Sequence, residues 1–226
     1  MNLLSVALGL LPGFVWLLFY LQEDLHPEPK GLPLKTFLAG MAGAFFTLAI
    51  QILLNAMLGI LQFRQFVFIS FLLLAFVEEI SKFLAAYLSI HKNKEFDEPV
   101  DAMIYMVVAA LGFATVENLG AISSSGQTTT LALLSSIFTV TVLRFVGATL
   151  LHTLSSAIVG YYWARGIRNF MSKKYIFWGL AIATLLHGTF NYLILNFGNV
   201  VYSVIFITVI GFYVLADFEE LKNKNI

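Results

Sequence analysis

The sequence predicts an all-α fold, a polytopic transmembrane bundle of about seven spanning helices. Three observations predict it. Of 226 residues, 59% are apolar and only 12% are charged, about half the charge of an ordinary soluble domain. The mean hydropathy is +0.86, so the lipid bilayer is the expected solvent. Apolar runs recur at roughly the 20-residue length that crosses a bilayer core, with short polar breaks between them.

The runs are 2–21, 36–60, 66–90, 101–122, 144–164, 175–195 and 199–217. The first has no basic leader and no small-residue cleavage site, and reads as a retained span rather than a removed signal peptide. The break QEDLHPEPKGLPLK ends it, because its prolines forbid a continuous helix. LQFRQ precedes the third run and the strongly polar HKNKEFDEP the fourth. SSSGQ is a Ser/Gly turn, WARGIRNFMSKK a basic break, and NFGN a tight turn before the last run. Asp101 suits the start of the fourth helix, where a carboxylate meets free backbone N–H groups.

Charge sets the topology, since cytoplasmic breaks carry the Lys and Arg. With the N-terminus outside, the inner breaks hold Lys30, Lys35, Lys92, Lys94, Arg165, Arg168, Lys173, Lys174, Lys222 and Lys224, and the outer breaks only Arg64. This places the C-terminus in the cytoplasm. It also requires 128–143, too short for a full span, to be an interfacial or re-entrant helix on the outer side. One domain is expected over 1–226, with its core at about 66–195. A net charge of zero gives no support to a nucleic-acid partner. The absence of cysteine removes disulfides, a thiolate nucleophile and thiolate metal ligands.

Polar groups deep in these runs are the candidates for function, because a charge at mid-bilayer costs roughly 2.5–3.5 kcal/mol on insertion scales. The third run carries Glu78, Glu79 and Lys82, with Glu78 and Lys82 spaced to pair on one face. The fourth carries Phe113, Glu117 and Asn118. The next carries Arg144, His152 and Ser156, and the sixth His187 with Asn191 one turn on. At 1.5 Å per residue, Glu79, His152 and His187 all lie roughly 20 Å above the basic breaks and Glu117 roughly 24 Å. A common depth on four helices predicts one shared pocket. Arg144 is read as a headgroup anchor and Phe113 as packing.

Such a pocket suits hydrolysis. A buried Glu can take a proton from water, and His and Asn can donate to an oxyanion. Alternatively, Glu79, Glu117, His152 and His187 can hold a divalent metal such as zinc. No HExxH spacing is present, and Asn191 beside His187 leans the reading towards metal-free chemistry, with both mechanisms left open. A proton- or ion-coupled transporter using the acids as a relay is the alternative class, and a non-catalytic scaffold a third.

VEEISK at 77–82, GFATVENLGA at 112–121, His152, and HGTFN at 187–191 together resemble the PrsW family of intramembrane proteases. HPEPKGLPLKTF at 26–37 and DEPVDAMIYMVVAALGF at 97–113 fit it too, so the likeness runs from about 22 to 195. It is similar to the wider group of CAAX-processing and bacteriocin-processing membrane proteases, with Glu117 where that group has FxxxH and Lys82 in place of a longer-spaced Arg. The resemblance implies a bacterial plasma-membrane peptidase. It would make the first, outer-side cut in a membrane-anchored anti-sigma factor and so start a stress response. It also implies Glu78 and Glu79 as a catalytic pair, one of them the base, with Glu117, His152, His187 and Asn191 completing the site and Lys82 and Asn118 supporting it.

Overall fold

The computed structural model describes residues 3–23, 31–60, 67–123, 138–197 and 200–223, which form helices and two short turn-rich links at 91–98 and 169–171, with no strand among them. The helices are α1 (Leu3–Tyr20), α2 (Gly31–Ile60), α3 (Val67–Ile90), α4 (Pro99–Ser123), α5 (Phe138–Arg168), α6 (Ser172–Phe197) and α7 (Val200–Asn223). A 3₁₀ turn, Leu21–Glu23, closes α1. Six of the seven are long and apolar enough to cross a membrane. The other, α3, has 24 residues but carries Glu78, Glu79 and Lys82 at its middle. These seven helices match the expected bundle.

The expected helix at 128–143 is corrected in part. Residues 128–137 lie outside the described residues, whereas 138–143 form the first turns of α5 and run without a break into 144–168. They belong to that span rather than to a separate interfacial helix. No Pro or Gly interrupts 138–146, and the one irregularity, a π-helical turn at Arg144–Ala148, absorbs an extra residue without ending the helix.

The centre of the bundle is α4, in which every side chain from Val100 to Thr115 is buried. It packs against α1, α2 and α5, and α3 and α6 close the same side. Lipid gives no hydrophobic drive between helices, so close backbone approach by small residues has to supply the packing. A Cβ on Gly40 would collide with the Ala109 carbonyl, and one on Gly112 with the Phe37 carbonyl, so α2 and α4 touch backbone to backbone at this pair. Phe45, Leu53, Phe212 and Tyr213 are exposed on the outer faces of α2 and α7, as lipid-facing positions should be.

At one end of the bundle Asp101, in the first turn of α4, accepts hydrogen bonds from the preceding backbone N–H groups of Asp97 (3.2 Å) and Glu98 (2.9 Å) and so closes the entry to the helix, as the reach-back acid of a capping box does. At the same end Lys35 of α2 donates to the Ser89 carbonyl of α3 at 3.0 Å. The polar side chains of the candidate site lie further along the helices.

Candidate active site

Five helices bring one polar group after another to a single point. On α3, successive glutamates point to different neighbours. Glu79 is fully buried and receives Lys82 Nζ at 2.6 Å, His187 Nδ1 at 2.7 Å and Ser155 Oγ at 3.0 Å on one carboxylate oxygen, Oε1. Ser156 Oγ reaches its other oxygen at 3.5 Å. Glu78 instead turns towards α2, where Gln51 Nε2 donates to its Oε1 at 2.7 Å. The expected Glu78–Lys82 pair is therefore corrected. Lys82 pairs with Glu79 at i,i+3, a spacing that places two residues on one face as well as i,i+4 does. The amide of Gln51 holds Glu78 on the other side.

Lys82 is wholly buried. Its ammonium lies 3.2 Å from His152 Nδ1 and 5.5 Å from the centre of the Phe113 ring. Phe113, read as packing, thus supplies a cation–π face to the one buried ammonium of the site. An ammonium has no acceptor, so His152 Nδ1 accepts, and His152 Nε2–H donates to Glu117 Oε2 at 2.8 Å. The rings of His152 and His187 meet edge to face, 4.9 Å between centres.

Arg144 is not a headgroup anchor. It stands at the first residue of the π turn and reaches Glu117 Oε2 through Nη2 at 3.2 Å and Asn118 Oδ1 through Nε. Asn118 passes the contact on, donating to Thr149 Oγ1 at 3.1 Å. The π turn is itself held from α1, where Trp16 Nε1 donates to the Phe145 carbonyl at 3.1 Å. From sequence Arg144 stands at the end of an apolar run, because nothing there marks the helix as continuous from 138. With six more residues before it, Arg144 lies inside the span, where a charge needs a partner.

Asn191 is half-buried on the turn after His187. Among the described residues no hydrogen bond occupies its amide. Gln51, Ser155 and Thr149 were missed from sequence. Gln51 had a signal, one of two amides (with Asn55) in the otherwise largely apolar stretch of α2, whereas Ser155 and Thr149 look like ordinary small residues in an interhelical seam.

With His187 neutral and its Nδ1–H given to Glu79, its Nε2 carries a lone pair. That atom faces Glu78 Oε2 at 3.4 Å, and Glu78 Oε2 is buried with no hydrogen-bond partner. Glu78, His152 and His187 each present one ligand atom, all within 4.8 Å of one another. The donor set, two imidazoles and a carboxylate, is one that zinc takes with a position left open. The His187–Glu79 bond is the outer contact that orients metal-bound imidazoles. The residues therefore fit a divalent metal. The set differs from the one expected from sequence in that Glu78 provides the oxygen, while Glu79 and Glu117 brace the two imidazoles.

A family model described as PrsW family intramembrane metalloprotease matches residues 28–216. Protease PrsW of Geobacillus kaustophilus (strain HTA426) is 30% identical over 192 residues, covering 84% of this chain and 79% of that protein. Protease PrsW of Bacillus subtilis (strain 168) is 27% identical over 225 residues, covering 97% and 96%. The Clostridioides difficile (strain 630) protein of the same name is 30% identical over 203 residues, covering 86% and 81%. No solved structure matches the chain.

Proposed function

We propose, from the premise that this chain belongs to the PrsW family of intramembrane proteases and is a multi-pass peptidase of a bacterial membrane, that its catalytic centre is the cluster at Glu78, Glu79, Glu117, His152 and His187. Its reaction is hydrolysis of a peptide bond near the outer membrane face in a membrane-anchored anti-sigma factor, the first cut of a stress-response cascade. The distribution of Lys and Arg supports an outer N-terminus and a cytoplasmic C-terminus. The observation that carries the catalytic reading is the orphaned Glu78 Oε2, turned to the lone pair of His187 at 3.4 Å.

Glu78, His152 and His187 would hold a divalent metal such as zinc. His152 joins only by exchanging one of its present partners, Lys82 or Glu117, for the ion. When bound, such an ion polarises a carbonyl and makes water acidic enough to attack near neutral pH. The chain's own groups do the rest. Glu79 fixes the His187 ring and its tautomer, and Lys82 and Ser155 fix Glu79. Gln51 fixes Glu78. Glu117 is the most open of the site's acids, 32% exposed, and can move a proton from the attacking water to the departing amine. Asn191, with its amide uncommitted and one turn from His187, can donate to the carbonyl oxygen as it gains charge.

The test is co-expression with single-pass anti-sigma factors, with products sized by mass spectrometry. The wild type should release a shortened product, and Glu78→Gln and His187→Ala should leave the substrate intact while still inserting in the membrane. Cleavage by the double variant at the normal rate would take the reaction away from these residues.

A further inference from the structure

Among the described residues a cleft reaches the edge of the buried cluster. Lys82 and Glu79 are fully covered, and Glu78, His152 and His187 nearly so. Glu117 alone among the acids and imidazoles shows appreciable surface, and it lines a cleft of about 410 Å³ between α2 and α4. Three residues of that cleft each touch the site. Gln51 holds Glu78, Phe113 lies under Lys82, and Glu117 holds His152. The helices that form its walls meet backbone to backbone at Gly40 and Gly112. The cleft starts one residue beyond, at Met41, and extends to Ser123. On its outer lip Phe45 and Leu48 are exposed, so it opens to lipid. The larger groove between α5, α6 and α7, about 820 Å³, is lined by residues such as Tyr161, Tyr213 and Asp217 and includes none of the site's acids or imidazoles.

We infer that the α2–α4 cleft is the lateral gate of the enzyme, and that it takes an unwound, extended segment of a single-pass membrane protein directly from the bilayer. The inference rests on the peptidase reading above. Three physical constraints shape the occupant. One helical turn with its side chains, 10–12 Å across and 5.4 Å high, sweeps about 400–600 Å³, so the cleft is on the scale of a turn or two and not of a whole spanning helix. Carbonyls inside a helix are already hydrogen-bonded and shielded by side chains, so the bond to be cut must leave the helix first. Unwound backbone in hydrocarbon then needs partners. Gln51 gives one N–H to Glu78 and keeps a second N–H and its carbonyl oxygen, and Glu117 keeps its other carboxylate oxygen. The preferred segment is therefore rich in Gly, Ser and Ala, residues that leave a helix readily or occupy little space.

The probe is a single-pass reporter with an epitope on each side of a Leu/Ala transmembrane helix whose outer third carries a Gly-Ser pair. Gly120 is exposed on the α4 wall, and a Cβ there meets nothing within 4 Å, so Gly120→Trp should fold and obstruct the gate. It should cut the reporter at least about tenfold more slowly than wild type, whereas Ile205→Trp in the larger groove should cut at the wild-type rate. In a Glu78→Gln background, a photo-crosslinking residue at position 48 should capture the reporter and one at position 205 should not. Wild-type cleavage with normal Gly120→Trp activity, or capture at 205 rather than 48, overturns the gate and leaves the peptidase reading standing. A wild type that cuts neither this reporter nor any anti-sigma factor overturns both.

Discussion

Glu78 Oε2 and His187 Nε2 face each other across 3.4 Å without a hydrogen bond between them, the first from α3 and the second from α6. With His187 neutral and its Nδ1–H given to Glu79, both atoms are acceptors. Two buried acceptors turned towards one another are costly, and a shared cation relieves that cost. Stripping the purified protein with a strong chelator should therefore lower peptidase activity to background, and added zinc should restore it. Elemental analysis should find about one ion per wild-type chain and none in His187→Ala. Full activity after thorough stripping would remove the metal from the mechanism.

Glu79 serves both His187 and Lys82, so its loss should be felt twice. Glu79→Gln removes the outer contact of a metal-binding imidazole, a loss typically of 10–100-fold in metal affinity or activity. It also leaves Lys82 as an uncompensated buried charge, which typically costs about 3–5 kcal/mol of stability. Pairing it with Lys82→Met should recover thermal stability in detergent while leaving activity low. Recovery of both together would mean that Glu79 only neutralises Lys82.

The seven-helix bundle and the pocket's main residues were legible because hydrocarbon makes a mid-span charge conspicuous. Glu78, Glu79, Glu117, His152 and His187 stand out from apolar runs, and counting 1.5 Å per residue is enough to bring them to one depth. Their pairing was not legible. Depth does not give rotation, so spacing alone pairs Lys82 with Glu78 as readily as with Glu79, and it says nothing of Gln51 on another helix. The role of Arg144 is hidden for a different reason. Nothing in TTTLALLSSIFTVTVL marks where a helix starts, and the π turn that directs Arg144 at Glu117 leaves no sequence signature.

Arg144 braces Glu117 and Asn118 with separate nitrogens, and Glu117 in turn braces His152. Arg144→Gln should lower kcat by about 10-fold or more, the usual range for an outer-shell contact. Arg144→Lys keeps the charge beside Glu117 but not the planar fork, so it should fall between the two. The reporter assay with titrated substrate checks this. A wild-type kcat in Arg144→Gln would show that the contact does not position His152.

Two glycines of α4 should respond differently to the same substitution. At Gly112 a Cβ collides with the Phe37 carbonyl of α2. That backbone cannot rotate aside as a side chain could, so α2 and α4 must separate. Overpacking of this kind costs about 1–3 kcal/mol, and Gly112→Ala should lower the melting temperature in detergent. At Gly120, two turns on, a Cβ meets nothing within 4 Å. The gain there is the higher helix propensity of alanine, up to about 1 kcal/mol, so Gly120→Ala should leave the melting temperature unchanged or raise it. Loss of stability at both positions would mean that the helices remain in contact beyond Gly112. That would close the space through which the unwound segment is argued to reach Glu117.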